Sequence, residues 1–217
     1  MRVDGDYRRD GYALAPGLVA PEVCAAFVRL MKSDLANFGV PLESQRRHSN
    51  LLKREAVEVY GYEYPPMLMF LWGLTPRVSL IAGCELMPSY AYFRIYQKDD
   101  ICCVHSDRQA CEHSLSLTLG YSDGREWPLE IGHERLPEPR AMALESWEGA
   151  SHSALPMAPG DAVLYRGVER LHARTTPNPN RWSAHLFLHW VERGGPFESH
   201  AFDGKQGGTM PVDFNFA

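Results

Sequence analysis

A change of hydrophobic period near Leu86 constrains this 217-residue chain more than any other feature. Before it, apolar residues recur at helical spacing. After it they alternate, which is the pattern of strands. Tyr90, Tyr92, Arg94 and Tyr96 alternate with Ala91, Phe93 and Ile95, and alternation returns over His113 to Leu119 and again from Arg181 to Val191. Turn residues punctuate the strands at Lys98-Asp99-Asp100, Tyr121 to Arg125 and Pro159-Gly160-Asp161. Helices first and short strands afterwards predict a mainly β fold with flanking helices, an antiparallel sandwich or barrel buttressed on one sheet by the first 83 residues.

Within that first part, Pro21 suits a first helical position and Gly39 lies just past the end. Val23, Phe27, Leu30, Met31 and Phe38 fall near 3.6 periodicity between them. Pro66 to Leu74 and Pro76 to Ala82 read as two short helices, the second closed by Gly83, and the polar stretch 40–63 as a long loop or flap. The segment after Glu192 holds five glycines and reads as a tail or lid. The length favours one domain over 1–217, with helical support in 1–83, a β core in 84–193 and the tail in 194–217.

Composition narrows the function classes. A net charge of −5 without a long basic run predicts neither nucleic acid nor an anionic membrane surface as partner. The opening MRVDGDYRRDGYAL lacks an apolar h-region, and no stretch approaches the roughly 18 apolar residues of a span. Five cysteines without a CxxC read as reduced thiols of a cytoplasmic protein, not as a disulfide frame or zinc site.

The chemistry concentrates around His105-Ser106-Asp107. Residues i and i+2 of a strand share a face, so the imidazole and the carboxylate project together. Of nine histidines, only His105 has an acid two residues on. His172 follows the turn and strand PGDAVLYRG, and Arg181 lies nine residues further, with Ser183 on its face. Two imidazoles and one carboxylate on one face of Fe(II) leave positions open for substrates and oxygen. An arginine beyond them offers a planar fork for a carboxylate.

HSD, 64 intervening residues, His172 and then Arg181-Trp182-Ser183 resemble the Fe(II)/2-oxoglutarate-dependent dioxygenases over roughly Leu86 to Val191. Tyr96, nine residues before His105, and the basic-Trp pair Arg181-Trp182 are similar to the prolyl-hydroxylase-like branch. The resemblance implies a double-stranded β-helix, a jelly-roll (cupin-like) fold. It implies Fe(II) on His105, Asp107 and His172, and 2-oxoglutarate held through its distal carboxylate by Arg181 with Tyr96 and Ser183. It further implies O2 as cosubstrate, ascorbate as a supporting reductant, and succinate and CO2 as co-products of C–H hydroxylation. Arg181 is expected deep in the cavity.

Arg94, Tyr92, Arg108 and Arg125 are the candidate substrate contacts, with an internal ion pair of Arg94, to Glu112, as the alternative. His185 and His189 share the face of Ser183 and read as packed or hydrogen-bonded, while Trp127 and Trp190 read as core. The leading expectation is a hydroxylase of a small molecule, an amino acid or metabolite. A protein or peptide hydroxylase of the prolyl-hydroxylase kind is the alternative. A catalytically silent jelly-roll binding module is the reading from another class, and the intact Asp107 argues against it. The sequence does not fix the oligomeric state.

Overall fold

The computed structural model of the chain describes residues 2–140, 142–204, 213 and 214. The first part holds α1 (Tyr7–Asp10), β1 (Tyr12–Ala15), α2 (Pro21–Asn37), β2 (Arg46–Arg47), β3 (Ala56–Tyr60) and α3 (Met67–Ala82). The strands β4 (Leu86–Gln97), β5 (Cys102–His105), β6 (His113–Tyr121) and β7 (Leu129–Gly132) come next. Then follow β8 (His152–Leu155), β9 (Ala162–Tyr165), β10 (His172–Arg174) and β11 (Trp182–Glu192).

These strands pair antiparallel in a seven-stranded sheet, β1-β9-β6-β11-β4-β3-β2, and a four-stranded sheet, β5-β10-β7-β8. From β4 onward the chain crosses between sheets: β4 large, β5 small, β6 large, β7 and β8 small, β9 large, β10 small, β11 large. This winding is the double-stranded β-helix.

Period-2 alternation sorts the large sheet's side chains. Leu115, Leu117 and Leu119 on β6, Ala184, Leu186 and Leu188 on β11, and Ala91 and Phe93 on β4 join one apolar cluster with the helices. The opposite face carries Ser114, Ser116 and Thr118, Ser183, His185, Phe187 and His189, and Tyr92, Arg94 and Tyr96. That face looks into the barrel. The helices thus cover the greasy side, and the polar side becomes the interior.

Three expectations for the first part change. The buried stripe of α2 is Cys24, Phe27, Met31 and Leu35, while Val23, Leu30 and Phe38 are exposed, because the sheet meets the helix one position round from the apolar face the spacing suggested. The two short helices are one: α3 runs through Pro76. Pro76 has no N–H to donate, and in the same turn Thr75 Oγ1 donates to Leu71 O (2.8 Å) while accepting from Trp190 Nε1 (2.8 Å). The 40–63 stretch is not a loop throughout. It supplies β2 and β3, and β3 pairs with β4, setting Glu58 opposite Arg94.

Of the tail, Glu198–Gly204 holds short 3-10 turns broken by a kink at Ala201 to Asp203 and lies against β4, tied by Ser89 Oγ donating to His200 O (3.1 Å); Arg108 pairs with Asp203 (2.8 Å). Residues 205–212 and 215–217, where the rest of the expected tail or lid falls, lie outside the described residues. Among those described, no helix is long and apolar enough to cross a membrane.

Gly160 closes the turn into β9 with φ +94°, and a Cβ there would stand 2.2 Å from Val19 O. That conformation and that approach both exclude a side chain. Gly160→Ala should lower stability by about 1–3 kcal/mol, read as a fall in the urea midpoint at unchanged m-value. An unchanged midpoint would show that the turn itself readjusts its φ as well as its distance from Val19.

Candidate metal centre and anion chamber

His105 ends β5 and His172 opens β10, and the two are direct partners across the small sheet. Asp107 follows two residues on, its backbone N–H donating to Gly167 O (2.8 Å). The Nε2 atoms of His105 and His172 lie 3.7 and 3.5 Å from the same oxygen, Asp107 Oδ1. Each ring holds Nδ1 on the backbone carbonyl two residues earlier, Cys103 O at 2.7 Å and Arg170 O at 3.0 Å. A carbonyl only accepts, so Nδ1 carries the hydrogen and Nε2 is left with its lone pair facing the carboxylate. Two lone pairs and an anion converging on one point are a donor set for a divalent cation. The carbonyl contacts are the outer support such ligands use.

The electrostatics reflect how closely the three groups face one another. Burial, then the facing His172, pushes His105 down to about 4. Burial alone would raise the Asp107 carboxyl, but His172, His105 and His189 overcome it and hold it well below the usual range. Burial alone would lower His172, and Asp107 reverses the sign.

The other oxygen, Asp107 Oδ2, accepts from Ser114 Oγ (3.2 Å), which lies 2.9 Å from His189 Nδ1. His189 stacks on Tyr90 at 4.5 Å, and its Nε2 is buried without a hydrogen-bond partner among the described residues.

Two chambers meet at the triad and share Tyr92, Arg94, His105 and Asp107. The inner one is water-sized, about 20 Å³, and is also lined by Tyr96, Tyr165, His172, Arg174 and Phe187. The outer one, about 320 Å³, is lined by Tyr60, Tyr90, Arg108 and Arg140.

The interior arginines differ in their partners. Arg94 is buried against Glu58, with Nη2 2.6 Å from Oε1, and it donates to Tyr96 Oη (3.2 Å). Arg174 is 1% exposed and has no carboxylate partner among the described residues. It reaches Trp127 O, Met157 Sδ (3.9 Å) and His185 Nδ1 (3.5 Å) and lies over the Trp127 ring. A buried cation without a counter-ion is costly, and an anion entering the chamber would offset that cost.

The structure therefore gathers His105, Asp107, His172, Tyr96, Tyr92 and Arg94 in one site, with Arg108 at its outer wall. It leaves Arg181 and Arg125 outside. The Arg181 side chain is 74% exposed, with its N–H and Nε on Asp123 (2.7 and 3.3 Å). The expected burial of Arg181 is corrected: β11 starts at Trp182, so Arg181 lies beyond the barrel rim, where the Tyr121–Arg125 turn captures it.

Ser183 is buried but committed to the 178–180 turn, donating to Asn178 Oδ1 (2.8 Å) and accepting from Asn180 Nδ2 (3.3 Å). Arg125 is exposed, and its backbone N–H donates to Asn180 Oδ1 while its carbonyl accepts from Asn180 Nδ2. The ion pair of Arg94 goes to Glu58, not to Glu112, whose carboxylate accepts from the N–H of Glu192.

Sequence reasoning missed Arg174, Glu58, Ser114 and Arg140. The period-2 rule could have found Arg174, which shares the strand face of His172. Glu58 sat in a stretch read as a flap, and no local signal marks Ser114 or Arg140.

No family model matches the chain. No curated protein matches it either. Solved structures do. The non-heme alpha ketoglutarate dependent epimerase SnoN from nogalamycin biosynthesis aligns at TM-score 0.61 and 14% identity, over 86% of this chain and 80% of its own. A Pseudomonas putida prolyl-4-hydroxylase aligns at 0.59 and 12%, over 87% and 96%. HygX from Streptomyces hygroscopicus, solved with nickel and 2-oxoglutarate bound, aligns at 0.61 and 12%, over 86% and 84%. At such identities the likeness is one of fold, the double-stranded β-helix.

Gly167 sets how closely the β9–β10 turn approaches the carboxylate. A Cβ there would lie 2.4 Å from Asp107 Oδ2 and 2.7 Å from Ser114 Oγ. Gly167→Ala should weaken Mn(II) binding by roughly 10- to 100-fold, the range for disturbed outer support of a ligand. Anaerobic calorimetry reads it, and unchanged affinity would mean that the turn does not set the carboxylate.

Proposed function

We propose that the chain is an Fe(II)- and 2-oxoglutarate-dependent oxygenase that hydroxylates a C–H bond of a small acidic molecule. One observation carries the reading: the two-His, one-carboxylate face opens into the chamber that holds an arginine without a counter-ion among the described residues. The ligands would be His105 and His172 through Nε2 and Asp107 through Oδ1. When bound, the iron would supply the activation of O2 that couples decarboxylation of 2-oxoglutarate, giving succinate and CO2, to insertion of the second oxygen atom into substrate.

The chain's own residues bind and position. Cys103 O and Arg170 O fix the imidazole tautomers, and Ser114 with His189 fixes the carboxylate. Arg174 is assigned to the distal carboxylate of 2-oxoglutarate, in the role first expected of Arg181. Arg94 is already neutralised by Glu58, whereas Arg174 gains a partner only when an anion enters. Because the inner chamber is water-sized, loading it requires side chains there to move apart.

The substrate class follows from the outer chamber. Its walls carry Arg94, Arg108 and Arg140, and Arg140 has no acidic partner among the described residues. Tyr60 and Tyr90 also line an apolar groove of about 190 Å³ with Tyr62, Leu68, Trp72 and Phe202. A carboxylate near Arg140 with an aliphatic or aromatic body along the tyrosines fits both features, which favours a small molecule over a peptide.

With Fe(II), ascorbate and air, the protein should form succinate from 2-oxoglutarate, and Asp107→Ala should not. Arg174→Met keeps the side-chain bulk and removes the charged hydrogen bonds. It should weaken 2-oxoglutarate binding to the Mn(II)-loaded protein by roughly 10- to 150-fold, as expected for losing about 1.5–3 kcal/mol. Arg181→Ala should change that affinity less than about twofold, as a fully solvated surface ion pair implies. The reverse ranking would return the anion to Arg181, and a wild type that neither binds 2-oxoglutarate nor makes succinate would end the proposal.

A further inference from the structure

The geometry points to a second divalent-metal site, of zinc type, on the helix-covered side of the large sheet. Its ligands are Cys84, His113 and Glu192, one donor atom of each lying within 4.8 Å of the other two. They come from three elements that meet at one end of the barrel. Cys84 follows Gly83, the left-handed cap of α3 at φ 75°; His113 opens β6; Glu192 ends β11. The sheet fixes their approach, since Trp190 is the direct partner of His113 and Glu192 that of Leu86.

The donors are poised as ligands rather than spent on other contacts. Neither the Cys84 thiol nor the Glu192 carboxylate has a hydrogen-bond or ion-pair partner among the described residues, and both side chains are part-exposed, so an ion can reach them. His113 is buried, and its Nδ1 is taken by the hydroxyl of buried Tyr7 at 2.7 Å. That contact orients the ring, and with Nδ1–H donating to the Tyr7 oxygen, Nε2 keeps the lone pair a metal needs, the outer support that metal-bound imidazoles use.

Charge favours a cation too. The Glu192 N–H donates to Glu112 Oε2 (2.8 Å), which brings a second carboxylate alongside the first. The nearby arginines are largely committed: Arg166 lies 3.6 Å from Glu169 and Arg193 2.7 Å from Glu85. Arg8, packed on the Gly83 turn, is the remaining cation at the rim. A thiolate, an imidazole and a carboxylate suit Zn(II), with water or Glu112 completing a tetrahedral set. A bound ion would tie the end of α3 to the strands carrying Ser114 and His189, which support Asp107.

The test is Co(II) titration of the full-length protein, because thiolate ligation gives a near-ultraviolet charge-transfer band that the His105, Asp107, His172 set cannot give. Wild type should bind a second cobalt ion per chain with that band. Cys84→Ser should lose the band and one ion, and Asp107→Ala should keep the band and lose the other. Glu192→Gln, at a part-exposed strand end, should fold normally and weaken the thiolate-linked ion at least tenfold. A band that survives in Cys84→Ser would assign the thiolate elsewhere, Cys111 being the nearest to the triad. A single ion per chain, lost with Asp107→Ala and without the band, would overturn the second site.

Discussion

Everything in this fold depends on burying both faces of β4, β6 and β11. A strand buried on one face alternates apolar with solvated residues; over their central residues these three alternate apolar with polar residues that are also buried, such as Ser114, Ser116, Thr118, Arg94, His185 and His189. Leu115, Leu117, Leu186, Leu188 and Phe93 lie under α2 and α3, where the apolar contact that stabilises the sheet is made. Because much of the stabilisation comes from that side, the barrel interior is only partly apolar, through clusters such as Leu129, Ile131, Met157, Val163 and Tyr165. It can hold Arg94, Arg174, His185, His189 and the serines of β6, groups that an ordinary sandwich interior would exclude.

An interior of that kind must settle its own charges. Arg94 does so through Glu58, an acid supplied by β3 from outside the eight-strand winding. The triad does so through proximity: the positive forms of His172 and His105, whose Nε2 atoms stand 3.5 and 3.7 Å from Asp107 Oδ1, favour its ionised carboxylate. Arg174 does not do so with any described residue, and its guanidinium is held by a carbonyl, a thioether and an imidazole nitrogen. Buried groups in that condition concentrate at functional sites, which is the ground for proposing that an anion enters beside Arg174. The same reasoning separates Arg174 from Arg181, whose charge is met by Asp123 in solvent and so makes no demand on a ligand.

The approach of backbone to side chain at Gly167 matters for the same reason. It lets the β9–β10 turn close over Asp107 while Ser114 and His189 hold the second carboxylate oxygen. The site is thus braced from β6, from β11 and from the turn before β10. These segments are distant in sequence and meet only because the winding returns each strand to the barrel.

Much of this was legible in the chain itself. Period-2 alternation from Leu86 and the turn residues between strands fixed the β class, and HSD with a distant His172 marked the imidazoles and carboxylate that the fold brings together. These are local or pairwise properties: alternation sets which face a side chain takes, and i, i+2 spacing sets which neighbours share it. Tertiary structure decided the rest. Whether residues 40–63 form a flap or strands depended on an open edge of β4, and whether Pro76 divides a helix depended on packing under Trp190. The two arginines show the limit most clearly. Arg181 had the spacing and Arg174 did not, but β11 begins one residue too late to bring Arg181 inside. Strand boundaries are set by the pairing partner, here Gln97 opposite Trp182, and a partner some 85 residues away leaves no mark on the local sequence.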